Sequence, residues 1–248
     1  MTSDFTLLLM MLGVGIVAFL YSSVGHGGAS GYLAILSLFS LMPRQMGTTA
    51  LLLNCLVSGV AFITFFRAGH FSSRLTWPFL VASMPFAWIG GALSVSPPFY
   101  KMLLAFTLLV AAVRLSLQMS IKKVATYPHH PSLAIALPMG GGIGLLSGMV
   151  GVGGGIFLTP LLLLKGWADP KSASASSAFF ILGNSIAALL GRFFSGTLSI
   201  GTLFPFMAIA FLGGLVGSHL GANHFSGLVL RRLLAIVLAI SAFKLLAI

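Results

Sequence analysis

The sequence predicts an all-α polytopic membrane protein: two inverted repeats of about five segments, each with a short broken or re-entrant second segment. Three observations predict it. Thirteen basic and two acidic residues make up only 6% of the 248-residue chain, where a soluble domain carries roughly 25% charge. Apolar residues supply 58% of the chain, and mean hydropathy is +1.10. Apolar runs recur ten times, and the second five copy the first. A chain so poor in charge cannot cover a water-facing surface, which excludes a soluble enzyme and a disordered chain. The net charge of +11 forms no basic stripe, so no nucleic-acid partner is expected.

In chain order, the first set of apolar runs falls at about 5–24, 28–42, 46–66, 76–96 and 99–119. The second falls at about 132–150, 154–165, 172–194, 202–221 and 227–247. Eight reach the roughly 17–25 residues that cross a bilayer as helix. Gly28–Met42 and Gly154–Lys165 are too short at about 1.5 Å per residue, and each follows a glycine cluster. Phe5–Tyr21 follows Met1-Thr2-Ser3-Asp4 without a basic region or a small-residue cleavage site, so it is expected to stay as the first span. Cys55, the single cysteine, lies inside an apolar run, which excludes an intrachain disulfide. No cofactor or metal is expected.

The copying is ordered. Gly25-His26-Gly27-Gly28 aligns with Gly151-Val152-Gly153-Gly154 at an offset of 126. At an offset of 127, Pro43-Arg44 matches Pro170-Lys171, Thr49 matches Ser176, and Ser58 matches Ser185. Gly69 and Gly196, then Pro78-Phe79 and Pro205-Phe206, continue the series. The expected division is a first repeat over 1–120, a basic connecting loop over 121–131, and a second repeat over 132–248.

Charge then selects an orientation. If every segment crosses, nine basic residues (Arg67, Arg74, Arg114, Lys122, Lys123, Lys165, Lys171, Arg231 and Arg232) share one side, and Arg44, Lys101, Arg192 and Lys244 share the other. If the short segments re-enter, the split is seven to six. The positive-inside rule favours the first arrangement, with inverted repeats and both termini outside.

A glycine-broken short segment at the same place in two halves points to a secondary transporter. A helix that begins in mid-membrane presents N–H groups and a partial positive charge, and glycine lets a ligand approach the backbone. Gly25, His26, Gly27 and Gly28, with Gly151, Gly153, Gly154 and Gly155, are therefore candidate anion-binding positions. The competing role is close helix packing, which better explains the Gly140-x3-Gly144-x3-Gly148 and Gly213-x3-Gly217-x3-Gly221 runs.

The two G-x-G-G clusters, the Pro43-Arg44 and Pro170-Lys171 turns, and the Thr48-Thr49 and Ser176-Ser177 pairs resemble the sulfite exporter TauE/SafE family over nearly the whole chain. The resemblance implies a bacterial inner-membrane transporter of small sulfur-containing or organic anions such as sulfite, sulfoacetate or thiosulfate. His26 departs from the symmetry, because its counterpart is Val152.

Thr49, Asn54, Ser176 and Asn184, polar groups in the third segments, need partners in hydrocarbon. They are candidates to complete an oxyanion site, or they bond between helices. Arg192, near the end of its span, is a candidate to pair with a small anionic substrate; snorkelling to the interface is the commoner fate of such a residue. The spans hold no carboxylate, since Asp4 is terminal and Asp169 lies in a loop. Any coupled proton is left to the substrate or to histidine, with His26 best placed. Two alternatives stand beside the transporter. Gly28-Ala29-Ser30-Gly31 fits the pattern around a rhomboid-like serine nucleophile, with His219 as base. The other alternative is an anion channel.

Overall fold

The computed structural model describes residues 4–37, 43–93, 131–199 and 204–224, with isolated positions between 96 and 113. The segments expected at 99–119 and 227–247, and the loop at 121–130, lie largely or wholly outside the described residues. Eight helices are described: α1 (Asp4–Ser22), α2 (Ala29–Ser37), α3 (Pro43–Arg67), α4 (Ser73–Ala92), α5 (Leu133–Val150), α6 (Gly155–Leu164), α7 (Pro170–Phe194) and α8 (Phe204–Asn223). All but α2 and α6 are long and apolar enough to cross a membrane.

Local chemistry sets the ends. Pro43 and Pro170 open α3 and α7, the place in a helix where a missing N–H costs nothing. Asp169 caps α7 by accepting from the Lys171 and Ser172 N–H groups at 2.9 and 3.1 Å. Burial works against its charge, but the Ser172 hydroxyl and these backbone donors outweigh that and hold the carboxyl below its ordinary range.

The helices α3 and α7 form the centre and run antiparallel. Thr48 meets Arg192, Asn54 meets Ser185, and Phe62 stacks on Phe179, so numbers rise along one helix as they fall along the other. Two parallel pairs flank them. In the first, Gly213, Gly217 and Gly221 of α8 lie against the backbone of Gly15, Phe19 and Ser23 on and just beyond α1. In the second, Gly140, Gly144 and Gly148 of α5 lie against Phe79, Ser83 and Ala87 of α4. An added Cβ at any of these six glycines would overlap a carbonyl oxygen of the facing helix. Both spaced runs are thus packing seams, where lipid supplies no hydrophobic drive and backbones must touch. The outer faces carry large apolar side chains such as Leu12, Ile16, Trp77, Val81, Leu212 and Val216, each 52–60% exposed apart from Trp77 at 49%. In a membrane protein these are the surfaces that meet acyl chains.

Candidate functional site

Each glycine cluster ends one helix and starts another. Beyond α1, the His26 N–H donates to the Tyr21 carbonyl at 2.9 Å and the Gly25 N–H to Ser22 at 3.0 Å. Beyond α5, the Val152 and Gly151 N–H groups both donate to the Ser147 carbonyl, at 3.1 and 2.8 Å. Both closures need a left-handed residue, and Gly25 (φ 71°) and Gly151 (φ 84°) supply it. The second break continues through Gly153 and Gly154, also at positive φ, into α6.

The two breaks meet at Asn54, which is fully buried. Its Oδ1 accepts from the Ala29 N–H at 3.2 Å, the first backbone donor of α2. Its Nδ2 donates to the Val152 carbonyl at 3.3 Å in the second break and to Ser185 Oγ at 3.1 Å on α7. The expected anion donors at the start of α2 are therefore occupied in part by an internal oxygen. Gly27 and Gly153 have no room for a side chain, because an added Cβ at either would collide with the Asn54 carboxamide. Asn184 donates from Nδ2 to the Gly153 carbonyl at 3.4 Å. Asn184 Oδ1 and Ser176 Oγ are buried and have no hydrogen-bond partner among the described residues.

His26 stands on one side of this junction, 7% exposed. Its Nδ1 lies 2.9 Å from the Val24 carbonyl, which can only accept, so Nδ1 carries the proton. Nε2 of the neutral ring then accepts from Thr159 Oγ1 at 3.3 Å, and Thr159 accepts from Ser177 Oγ at 2.6 Å. The chain joins the first break to α6 and α7. At the Asn54 position α7 carries Ile181, which packs where a Cβ on Gly153 or Gly155 would fall. The junction is polar on the His26 side and carries Val152 and Ile181 at the matching positions.

Of the two fates expected for Arg192, the structure shows the inward one. It is 7% exposed and turned inward. Its Nη1 donates to Thr48 Oγ1 at 3.4 Å. A Cβ on Gly47 would stand 2.7 Å from Nη1, so glycine there makes room for the guanidinium. Gly151 lies beside the same group. Thr49 is buried nearby in sequence, but it is Thr48 that Arg192 meets.

The structure thus brings together Gly27, Asn54, Gly153, Gly155 and His26, with Arg192 beside Gly151. Sequence reasoning missed Ser185, Thr159, Ser177 and Gly47 as members. A lone hydroxyl in an otherwise apolar short segment was the available signal for Thr159, and its pairing with Ser58 across the halves was the signal for Ser185. The hydrolase alternative finds no geometry. Ser30 Oγ pairs with Tyr21 OH at 2.9 Å, and His219 sits exposed at the end of α8 with its ring 6.1 Å from His224.

Comparison with known proteins agrees with this architecture. The family described as "Sulfite exporter TauE/SafE" matches residues 9–245. A relative from Sinorhizobium fredii, named "Probable membrane transporter protein y4hK", is 35% identical over 93% of this chain and 94% of its own length. "Probable membrane transporter protein ORF9" from Sinorhizobium sp is 24% identical over 98% of this chain and 94% of its own. An Arabidopsis thaliana relative named "Sulfite exporter TauE/SafE family protein 2" is 36% identical over 30% of this chain and 16% of its own. No solved structure matches. A multi-pass helical bundle, two glycine breaks closed on one asparagine, and a family match over nearly the whole length give one conclusion: this chain belongs to the sulfite exporter TauE/SafE family of membrane transporters, and is not an enzyme.

Proposed function

We propose that the protein exports small sulfur-containing or organic anions, such as sulfite, sulfoacetate or thiosulfate, across a bacterial inner membrane by alternating access. The observation that carries this is the meeting of both glycine breaks at Asn54, between antiparallel α3 and α7. With four crossings per half, the equivalent helices α3 and α7 would run parallel. Their opposite directions support halves of odd crossing number, inverted across the membrane with a division near 121–131, and the nine-to-four split of basic residues supports both termini outside. Rocking of one half against the other then pulls the two breaks apart. As Asn54 releases the Val152 carbonyl and the Ser185 hydroxyl, its own Nδ2, that hydroxyl, the start of α6 and the Arg192 guanidinium become available to an oxyanion. Burying such an anion without donors costs several kcal/mol, so a site of convergent N–H and O–H groups is what the cargo requires.

The test is uptake by proteoliposomes offered labelled sulfite, thiosulfate, sulfoacetate, taurine and simple carboxylates. Saturable transport of at least one sulfur oxyanion or organic anion is expected. Failure of all of them, or flux at channel rates measured electrically, overturns the reading.

Proton coupling is proposed for the same site, through His26. When Nε2 gains a proton, the hydrogen bonds reverse and run from His26 to Thr159 to Ser177, so the imidazolium keeps an acceptor inside the bundle. The Thr159→Val variant keeps the shape and removes the link. It is expected to reduce pH-gradient-driven accumulation about a hundredfold, the lower end for a lost proton-transfer group, while leaving counterflow exchange intact. Unchanged dependence on the pH gradient in both Thr159→Val and His26→Gln would dismiss the relay.

A further inference from the structure

We infer that the groove between the last turns of α3 and α8 is a binding site for an anionic phospholipid. The groove encloses about 500 Å³ and is lined by Val60, Ile63, Arg67, Phe211, Leu215 and His219 among others. The two helices run in the same direction here, since Thr64 Oγ1 meets Ser218 Oγ at 3.2 Å while Val57 lies beside Gly214. The apolar residues therefore fill the deep end, and Arg67, His219 and Asn223 stand at the mouth. From Phe211 to Asn223 the groove is about 18 Å long at the helical rise, close to the depth of one leaflet of a roughly 30 Å hydrocarbon core.

Its chemistry selects the headgroup. Both helices present C-terminal carbonyls at the mouth, whose partial negative charge would repel a phosphate. Lys171 donates from Nζ to the Ala222 carbonyl at 2.7 Å and so places a cation on the end of α8. Arg67, the last residue of α3, is exposed beside it. Its planar guanidinium has donors for a phosphate and charge to offset the carbonyls. Among the described residues no acid lines the groove, and Asp169 at this end of the bundle is engaged by Ser172 and the α7 N–H groups. A chain-length apolar trough under a cationic rim fits a diacyl anionic lipid, and a free phosphate would leave the trough unused. Arg67 and His219 take no part in the junction at Asn54, so this inference does not depend on the transported anion.

The experiment measures binding to the purified full-length protein in detergent, by native mass spectrometry and thermal melting. The probes are dioctanoyl phosphatidylglycerol, dioctanoyl phosphatidylcholine and glycerol 3-phosphate. Phosphatidylglycerol is expected to bind and to raise the melting temperature, and the other two are not. Arg67→Gln should weaken it about fivefold, the share of one basic residue against an anionic lipid, and Leu215→Trp should fill the trough and abolish it. Lys165→Gln, an exposed cation outside the groove, should bind as wild type does. Equal binding of phosphatidylcholine, binding of glycerol 3-phosphate alone, or wild-type affinity in both groove variants overturns the assignment. So does a change of oligomeric mass in those variants with lipid affinity unaltered, which would make the groove a contact between two copies of the chain.

Discussion

Asn54→Leu is expected to lower the stability of the folded bundle by about 3–5 kcal/mol. The leucine fills a similar volume but takes away one acceptor and two donated hydrogen bonds. The Ala29 N–H, the Val152 carbonyl and the Ser185 hydroxyl lose their Asn54 partner at a fully buried position. An unsatisfied buried group costs about 1–3 kcal/mol, and the Ser185 hydroxyl can rotate to another acceptor, which keeps the total below three full penalties. Unfolding in mixed micelles titrated with SDS would measure the difference. Ser58→Ala is the control, because the Ser58 hydroxyl is buried without a hydrogen-bond partner among the described residues, and its removal should cost little. An Asn54→Leu variant as stable as Ser58→Ala would show that the junction of the breaks is not held by this side chain.

Gly27→Val is expected to reduce anion transport in proteoliposomes at least a hundredfold. The new side chain must displace the Asn54 carboxamide, since their atoms would otherwise overlap. Gly153→Ala attacks the same junction from the other half. It adds the cost of a Cβ in left-handed backbone (φ 75°), about 1–2 kcal/mol. Loss of folding and loss of function separate in a double variant. Gly27→Ala combined with Asn54→Ser makes room by shortening the obstructing side chain, so it should recover yield and melting behaviour relative to Gly27→Ala alone. Transport should stay low, because the clamp is gone. Normal transport by both single variants would remove the breaks from the transport path.

The glycine breaks were legible because their causes are local. A helix that must stop with a residue at positive φ selects glycine whatever surrounds it, and the 126-residue offset repeats that demand at Gly25 and Gly151. The packing runs were legible for a similar reason. Glycine at every fourth position makes one flat helix face, and the facing helices at Phe79, Ser83 and Ala87, or at Gly15 and Phe19, occupy it. Arg192 has two readings because a charge near the end of an apolar run has two solutions, and the sequence does not say which. The glycine at position 47 decides it by opening a space on the neighbouring helix.

By itself the sequence determined that this is a multi-pass helical membrane protein, broken at two glycine clusters that match at an offset of 126. Composition, segment length and backbone freedom belong to short stretches of chain and can be read there. Only the tertiary structure decided that Asn54 closes both breaks, that His26 leads through Thr159 to Ser177, and that Arg192 faces inward. Asn54 reaches 98 residues along the chain to Val152 and 131 to Ser185. A polar side chain in an apolar helix announces that it needs a partner. Which partner it finds follows from the opposed directions of α3 and α7, and that is a property of packing.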